Sequence, residues 1–147
     1  MKRLYKFLRL PSTDRRLLVN SVLLLGMVRL RLWLLPFQTL RHLLIRMTRA
    51  TAELQATDQA SIDQVVWGVT VGSRYVPAAT CLTQALATQM LLSHCGHPAR
   101  LRIGVARSET GEFHAHAWVE CQGRIVIGGT DAPLRYTPLA PLEGKTL

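Results

Sequence analysis

Residues 113–127 limit the fold more than any other part of the chain. Phe113 to Cys121 reads Phe-His-Ala-His-Ala-Trp-Val-Glu-Cys, and Gln122-Gly123 separates it from Arg124-Ile125-Val126-Ile127. Alternation of this kind marks a strand with two unlike faces, and a two-residue loop ending in glycine is a hairpin signal. Phe113, Ala115, Ala117, Val119 and Cys121 share one face, read as the core side. His114, His116, Trp118 and Glu120 share the other. Upstream, Leu101, Ile103 and Val105 alternate with Arg102 and Gly104, and Glu109-Thr110-Gly111 supplies a turn. An antiparallel sheet is therefore predicted for the C-terminal part.

Before residue 99 the period is helical. Thr80 stands where a helix cap belongs, and Leu82, Ala85, Leu86 and Met90 form one stripe of a helix over Cys81–Ser93, which Gly96 and Pro98 end. Tyr75-Val76-Pro77 reads as extended. Ile62, Val65, Val66 and Val69 mark a short amphipathic helix ending at Gly72. Residues 12–35 read as a Leu-rich helix capped by Ser12 or Thr13 and broken by Pro36. Phe37, Leu40, Leu43, Leu44 and Met47 continue at helical spacing. Residues 50–60 are small and polar, like a linker. Helices followed by a sheet make an α+β plan. With 147 residues, 48% of them hydrophobic, the chain suffices for one compact domain and an appendage. We divide it into a basic helical segment, 1–58, and a core domain, 59–147.

Charge supports that division. The formal net charge is +9. Residues 1–50 hold eleven Lys and Arg against one acid, Asp14, while the rest holds seven basic and eight acidic residues. The concentrated charge suits an acidic peptide or an anionic membrane face, although a merely solvated cationic surface explains it as well. Aromatic residues make up 6% of the chain and are not interleaved with the cations, which disfavours a nucleic-acid platform. Three cysteines do not make a disulfide framework; they fit a reducing compartment, and so a cytoplasmic protein. A signal peptide is disfavoured because Asp14, Arg15 and Arg16 lie between the basic start and the apolar run. Arg29 and Arg31 interrupt that run, which disfavours a membrane span, but peripheral membrane contact through residues 1–50 stays open.

Cys81 falls in the predicted first turn of its helix. There the helix dipole and free N–H groups favour a thiolate and could also hold an oxyanion. Alone, such a cysteine is as readily a small buried hydrophobe. The two histidines and Trp118 on one strand face strengthen the chemical reading. A tryptophan there implies a cover, and the Cys81 helix is the natural one. Counting back from a two-residue loop sets Cys121 against Arg124, His116 against Gly129 and His114 against Asp131. Asp131 then shares the histidine face and could orient an imidazole. Glu120 is the second candidate acid, and a bulge at Gly128-Gly129 would shift the count. His94, Cys95 and His97 cluster too, but Gly96 and Pro98 make this a helix end, and no second ligand pair stands at a zinc spacing. No metal is expected.

Four segments in order resemble the transglutaminase-like proteins that process lasso-peptide precursors. They are Tyr75-Val76-Pro77-Ala78-Ala79-Thr80-Cys81-Leu82, Gly96-His97-Pro98-Ala99, Leu101-Arg102-Ile103-Gly104-Val105, and His114-Ala115-His116-Ala117-Trp118-Val119-Glu120. Leu34 to Leu44 is similar to that family's helical lead-in. The resemblance implies a papain-like core, with a Cys-bearing helix on an antiparallel sheet, acting as a leader peptidase through a Cys-His-Asp triad. Carried over, the triad is Cys81, His116 and Asp131, with His114 and Trp118 left for substrate binding. No cofactor is implied. The implied partners are the precursor's leader peptide, a separate leader-recognition protein and an ATP-dependent, asparagine-synthetase-like cyclase. Two alternatives remain at this point. One is a transglutaminase-like acyltransferase that passes the acyl group to an amine; the other is a catalytically silent precursor-binding module.

Overall fold

A computed structural model describes residues 2–34, 39, 42 and 61–139. The domain boundary at 58/59 and the linker at 50–60 lie outside the described residues. So does the helix expected from Phe37 to Met47, apart from Thr39 and His42, which are helical. The described elements are α1 (Lys2–Leu8), α2 (Ser12–Leu34), α3 (Ile62–Ser73), α4 (Cys81–His94), β1 (Ala99–Arg107), β2 (Phe113–Cys121), β3 (Arg124–Ile127), α5 (Ala132–Arg135) and β4 (Thr137–Pro138). The α+β plan holds: helices pack against a four-stranded antiparallel sheet of order β3-β2-β1-β4.

Local chemistry explains where the elements begin and end. At the start of α3, the Gln64 amide N–H donates to Ser61 Oγ at 3.2 Å, and the Ser61 N–H donates to Gln64 Oε1 at 3.0 Å. This reciprocal capping box satisfies two donors that the helix leaves open. The segment read as extended, Tyr75-Val76-Pro77, is instead a turn. The Ala79 N–H donates to the Val76 carbonyl at 3.3 Å, and Ala78 is left-handed with φ 56°. The reversal delivers the chain into α4. In the hairpin, Gln122 and Gly123 have φ of 52° and 75°, the paired left-handed conformation of a type I′ turn.

α2 is part of the core. Leu17, Leu18, Ser21, Leu25 and Val28 are buried at helical spacing. Its approach to α3 is close because glycines face it: a Cβ on Gly68 would lie 2.9 Å from Ser21 Oγ, and one on Gly72 would lie 3.2 Å from Val22 Cγ2. The outer face of α2 is apolar as well, with Val19, Leu23, Met27, Leu30 and Leu34 exposed. By length and composition α2 could cross a membrane, whereas the interruption by Arg29 and Arg31 had disfavoured that. In the structure its inner face packs on α3 and α4.

α4 lies on the sheet face that carries Ala117, Val119 and Cys121. Those side chains share one cluster with Ala85, Leu92 and Cys95, and Cys81 and Leu82 pack against it. The histidine face is covered differently. Trp118, 1% exposed, is roofed by Tyr136 and by close glycine backbones. A Cβ on Gly104 would fall 2.8 Å from both the Trp118 ring and Tyr136 Cβ, and one on Gly128 would fall 2.5 Å from Trp118 Cβ. The cover over Trp118 is thus the chain after β3, not α4 as the alternation had suggested.

This packing assigns different weights to the two faces of α2. Leu25→Ala, at a fully buried position, is expected to cost about 2–5 kcal/mol by loss of contact and the cavity left behind. Leu23→Ala, on the exposed stripe, should stay within about 0.5 kcal/mol. Urea unfolding followed by circular dichroism compares the two directly.

Candidate active site

Cys81 is the first residue of α4. Thr80 has extended backbone, and its Oγ1 accepts the Thr83 N–H at 3.4 Å, closing the cap that the sequence suggested. Gln84 Nε2 donates to the Ala79 carbonyl at 3.2 Å and ties the incoming loop to the helix. Among the described residues, the N–H groups of Cys81 and Leu82 take no backbone partner outside the helix. Such a helix start offers donors and a partial positive charge to an anionic oxygen.

The height of Cys81 along the sheet follows from the path of the chain. Gly96, with φ 79°, and the residues up to Pro98 reverse the chain into β1, so β1 runs back along α4 and β2 runs with it. Gln89 Nε2 donates to the Ala99 carbonyl at 3.4 Å, and Ala99 pairs with Cys121. Cys81 lies eight residues earlier on the helix, about 12 Å at 1.5 Å per residue, which is roughly four strand residues. That brings it level with Ala117, next to His116. Cys81, partly buried, packs against the cluster that includes Ala117.

His116 itself turns to the other face of β2. Its Nε2 lies 2.6 Å from the Gly128 carbonyl oxygen, and its ring stacks on Tyr136, centroids 4.9 Å apart and planes 24° apart. β3 pairs with β2 only as far as Val119↔Ile127. Beyond that pair the chain after β3 still runs close to β2: a Cβ on Gly128 would lie 2.8 Å from the Ala117 carbonyl oxygen. Among the described residues, no hydrogen bond joins Cys81 to His114 or His116.

The register differs from the simple count. Cys121 pairs with Arg124 and Glu120 with Ile125, but Val119 then pairs with Ile127. The shift falls at Val126, ahead of the glycine pair. It displaces all later residues by one, so His114 no longer stands opposite Asp131. Asp131 sits at the start of α5, where its Oδ2 lies 3.5 Å from Arg135 Nη1, both side chains largely exposed. Glu120 is also engaged. It accepts the Trp118 Nε1–H at 3.2 Å and pairs with Arg102 at 3.4 Å. His114 is exposed, whereas a substrate contact from Trp118 would require its roof to move. Tyr136 and the Gly128 carbonyl are the neighbours of His116 that the sequence did not suggest. No motif points to Tyr136, and a main-chain oxygen has no residue letter.

The sequence model of the Transglutaminase-like superfamily matches residues 22–141. The chain belongs to that superfamily. No curated protein and no solved structure matches it. Membership implies cysteine-protease or acyltransferase-like chemistry, since members are commonly cysteine hydrolases and transferases. The match begins within α2, so this transglutaminase-like domain includes the helix that packs behind α3 and α4.

The other two thiols of the transglutaminase-like chain are buried. Cys121 Sγ donates to the Pro98 carbonyl at 3.2 Å, and burial raises its pKa, with Arg124 opposing weakly. Cys95 is 8% exposed in the core. Among the described residues, no three His, Cys, Asp or Glu side chains group as a metal site would need. Native-state alkylation with iodoacetamide at neutral pH should therefore label Cys81 first. Cys95 and Cys121 should lag by about tenfold or more, because both are buried and burial also disfavours the Cys121 thiolate. Peptide mass spectrometry over time reads the order.

Proposed function

We propose that this transglutaminase-like chain is the leader peptidase of a lasso-peptide maturation system, cutting its precursor with Cys81 as nucleophile and His116 as general base. What supports the reading is Cys81 in the first turn of α4, packed against the cluster that includes Ala117, the residue after His116 in sequence. The ordered motifs around Cys81, Gly96 and His116 supply the substrate class.

The chemistry follows from the groups present. His116 takes the thiol proton as the Cys81 sulfur attacks the scissile carbonyl. The tetrahedral oxyanion is held by the N–H groups of Cys81 and Leu82 at the helix start. The imidazolium returns its proton to the departing amine as the C–N bond breaks and a thioester remains. Water, deprotonated by the same imidazole, then hydrolyses the thioester and frees the thiol. Sulfur and ring nitrogen must come within about 2.6–3.2 Å of each other, so the reaction requires the imidazole to leave Tyr136 and the Gly128 carbonyl and reach the Cys81 side.

His114 lies on the same strand face, two residues away, and suits a role in positioning the substrate. The expected partners are the precursor, a separate leader-recognition protein and the ATP-dependent cyclase, met in the cytoplasm. Residues 1–50 dock an anionic partner, peptide or membrane face, through their eleven cations. An acyltransferase would use the same groups and differ only in the acceptor. The mass of the product separates the two, because hydrolysis adds water across a backbone bond and transamidation does not.

With precursor and recognition protein supplied, Cys81→Ala and Cys81→Ser should lose cleavage while staying folded. His116→Ala should lose about a hundred- to ten-thousand-fold, and His114→Ala much less. Normal cleavage by folded Cys81→Ala protein would end the mechanism. Replacing Arg41, Arg46 and Arg49 should weaken association with the anionic partner and flatten its salt dependence. Binding titrated at several salt concentrations measures this, and unchanged, salt-independent association would refute the docking role.

A further inference from the structure

α2 is apolar on both sides. Its inner face is buried, and there Leu25 packs with Val69 and Ala87. On its outer face Val19, Leu23, Met27, Leu30 and Leu34 are exposed. Their spacing keeps all five within about 80° of the helix circumference, at roughly 100° per residue. Trp33, also exposed, flanks this stripe at its C-terminal end. A helix that is apolar all round is normally covered all round, and a contiguous stripe is not the scatter of single apolar side chains that any surface carries.

The charges around the stripe say what covers it. Arg15 and Arg16 precede it, and by helical position Arg29 and Arg31 lie on either side of its far end. Asp14, the one acid of residues 1–50, falls on the opposite side of the helix. A second copy of the chain docked stripe to stripe would bring these cations together. A bilayer containing acidic phospholipid instead offers an apolar layer directly beneath negative headgroups, which complements an apolar stripe with cationic margins. Arginine stems lie along apolar surface while their guanidinium groups reach for phosphate, and an indole at a helix end suits the headgroup level. We propose that the outer face of α2 lies in the surface of an anionic membrane and holds the domain there. This rests on the docking role given above to residues 1–50 and commits it to lipid; it needs nothing of the Cys81 and His116 assignment.

The helix lies along the membrane and does not cross it. Crossing would strip Leu25 from Val69 and Ala87 and would carry Arg29 and Arg31 toward hydrocarbon. With α3 and α4 packed on its inner face, α2 keeps the folded domain on the aqueous side of the surface.

Flotation of the full chain with lipid vesicles tests this. Vesicles with about a third phosphatidylglycerol should bind it at least about tenfold more tightly than neutral phosphatidylcholine vesicles, and salt should weaken the binding. Leu23→Ser/Leu30→Ser removes apolar surface outside the core and should cost about tenfold or more in partitioning. Arg29→Gln/Arg31→Gln should cost about tenfold on the acidic vesicles alone. On binding, tryptophan emission should move to the blue and become shielded from iodide, and Trp33→Phe should abolish that change. Hydrogen exchange within α4 should stay as in the free protein; loss of its protection would mean that α2 had left the core to cross the bilayer, and would overturn the in-plane placement. Undiminished flotation of folded Leu23→Ser/Leu30→Ser protein refutes the role of the stripe, even where salt still releases the chain. Should that variant not fold, the arginine variant and the Trp33→Phe spectra decide. Failure to float with acidic vesicles overturns the membrane assignment, and salt-sensitive binding of the precursor peptide would then leave the docking role standing with a peptide as its partner.

Discussion

The structure depends on the seating of α4 against one face of β2. Ala85 on the helix and Ala117 on the strand are both nearly inaccessible, with Leu92, Val119 and Cys121 filling the space around them. Small side chains at the contact let the helix axis come close to the sheet, and close-packed interiors tolerate little change in such volumes. Everything chemical follows from this seating. It sets Cys81 against the Ala117 face of β2, opposite the face on which His116 meets Tyr136. α2 and α3 then pack behind α4 as a second helical layer, with Gly68 and Gly72 allowing their close approach.

Much of this was legible because it is local. Thr80 as a cap, the helix end at Gly96-Pro98, the three long strands and the Gln122-Gly123 turn each follow from periodicity or from the conformations those residues permit. The turn at 74–78 was not legible: Val76-Pro77 favours extended backbone, and the reversal depends on left-handed Ala78, which no propensity indicates. Nor could alternation reveal what covers each strand face. It separated Ala117 from Trp118 correctly, but the helix took the alanine side and Tyr136 the tryptophan side.

The candidate site is a different matter, since the structure does not bring Cys81, His116 and Asp131 together. Cys81 and His116 stand out because their side chains are chemically distinctive and their elements are simple. The surroundings of His116 do not stand out, for two physical reasons. The bulge falls among Ile125, Val126 and Ile127, where no glycine marks it, so a count of residues goes astray by one. The group nearest the imidazole is a main-chain oxygen, which every residue owns. What the sequence does show at 128 is a glycine, and only the adjacent Trp118 backbone explains why a larger residue is excluded.

The burial of Trp118 has an optical consequence. The chain has three tryptophans. Trp33 is 76% exposed and Trp67 36%, while Trp118 is sealed at 1% with its indole N–H on Glu120. Indoles in water emit to the red and are quenched by iodide; a sealed indole emits to the blue and is shielded. The blue, iodide-resistant part of the intrinsic fluorescence therefore comes from one residue, two positions from His116 and under the same roof. Any event that lifts Tyr136 or moves the Gly128 strand would register there first, without a label attached.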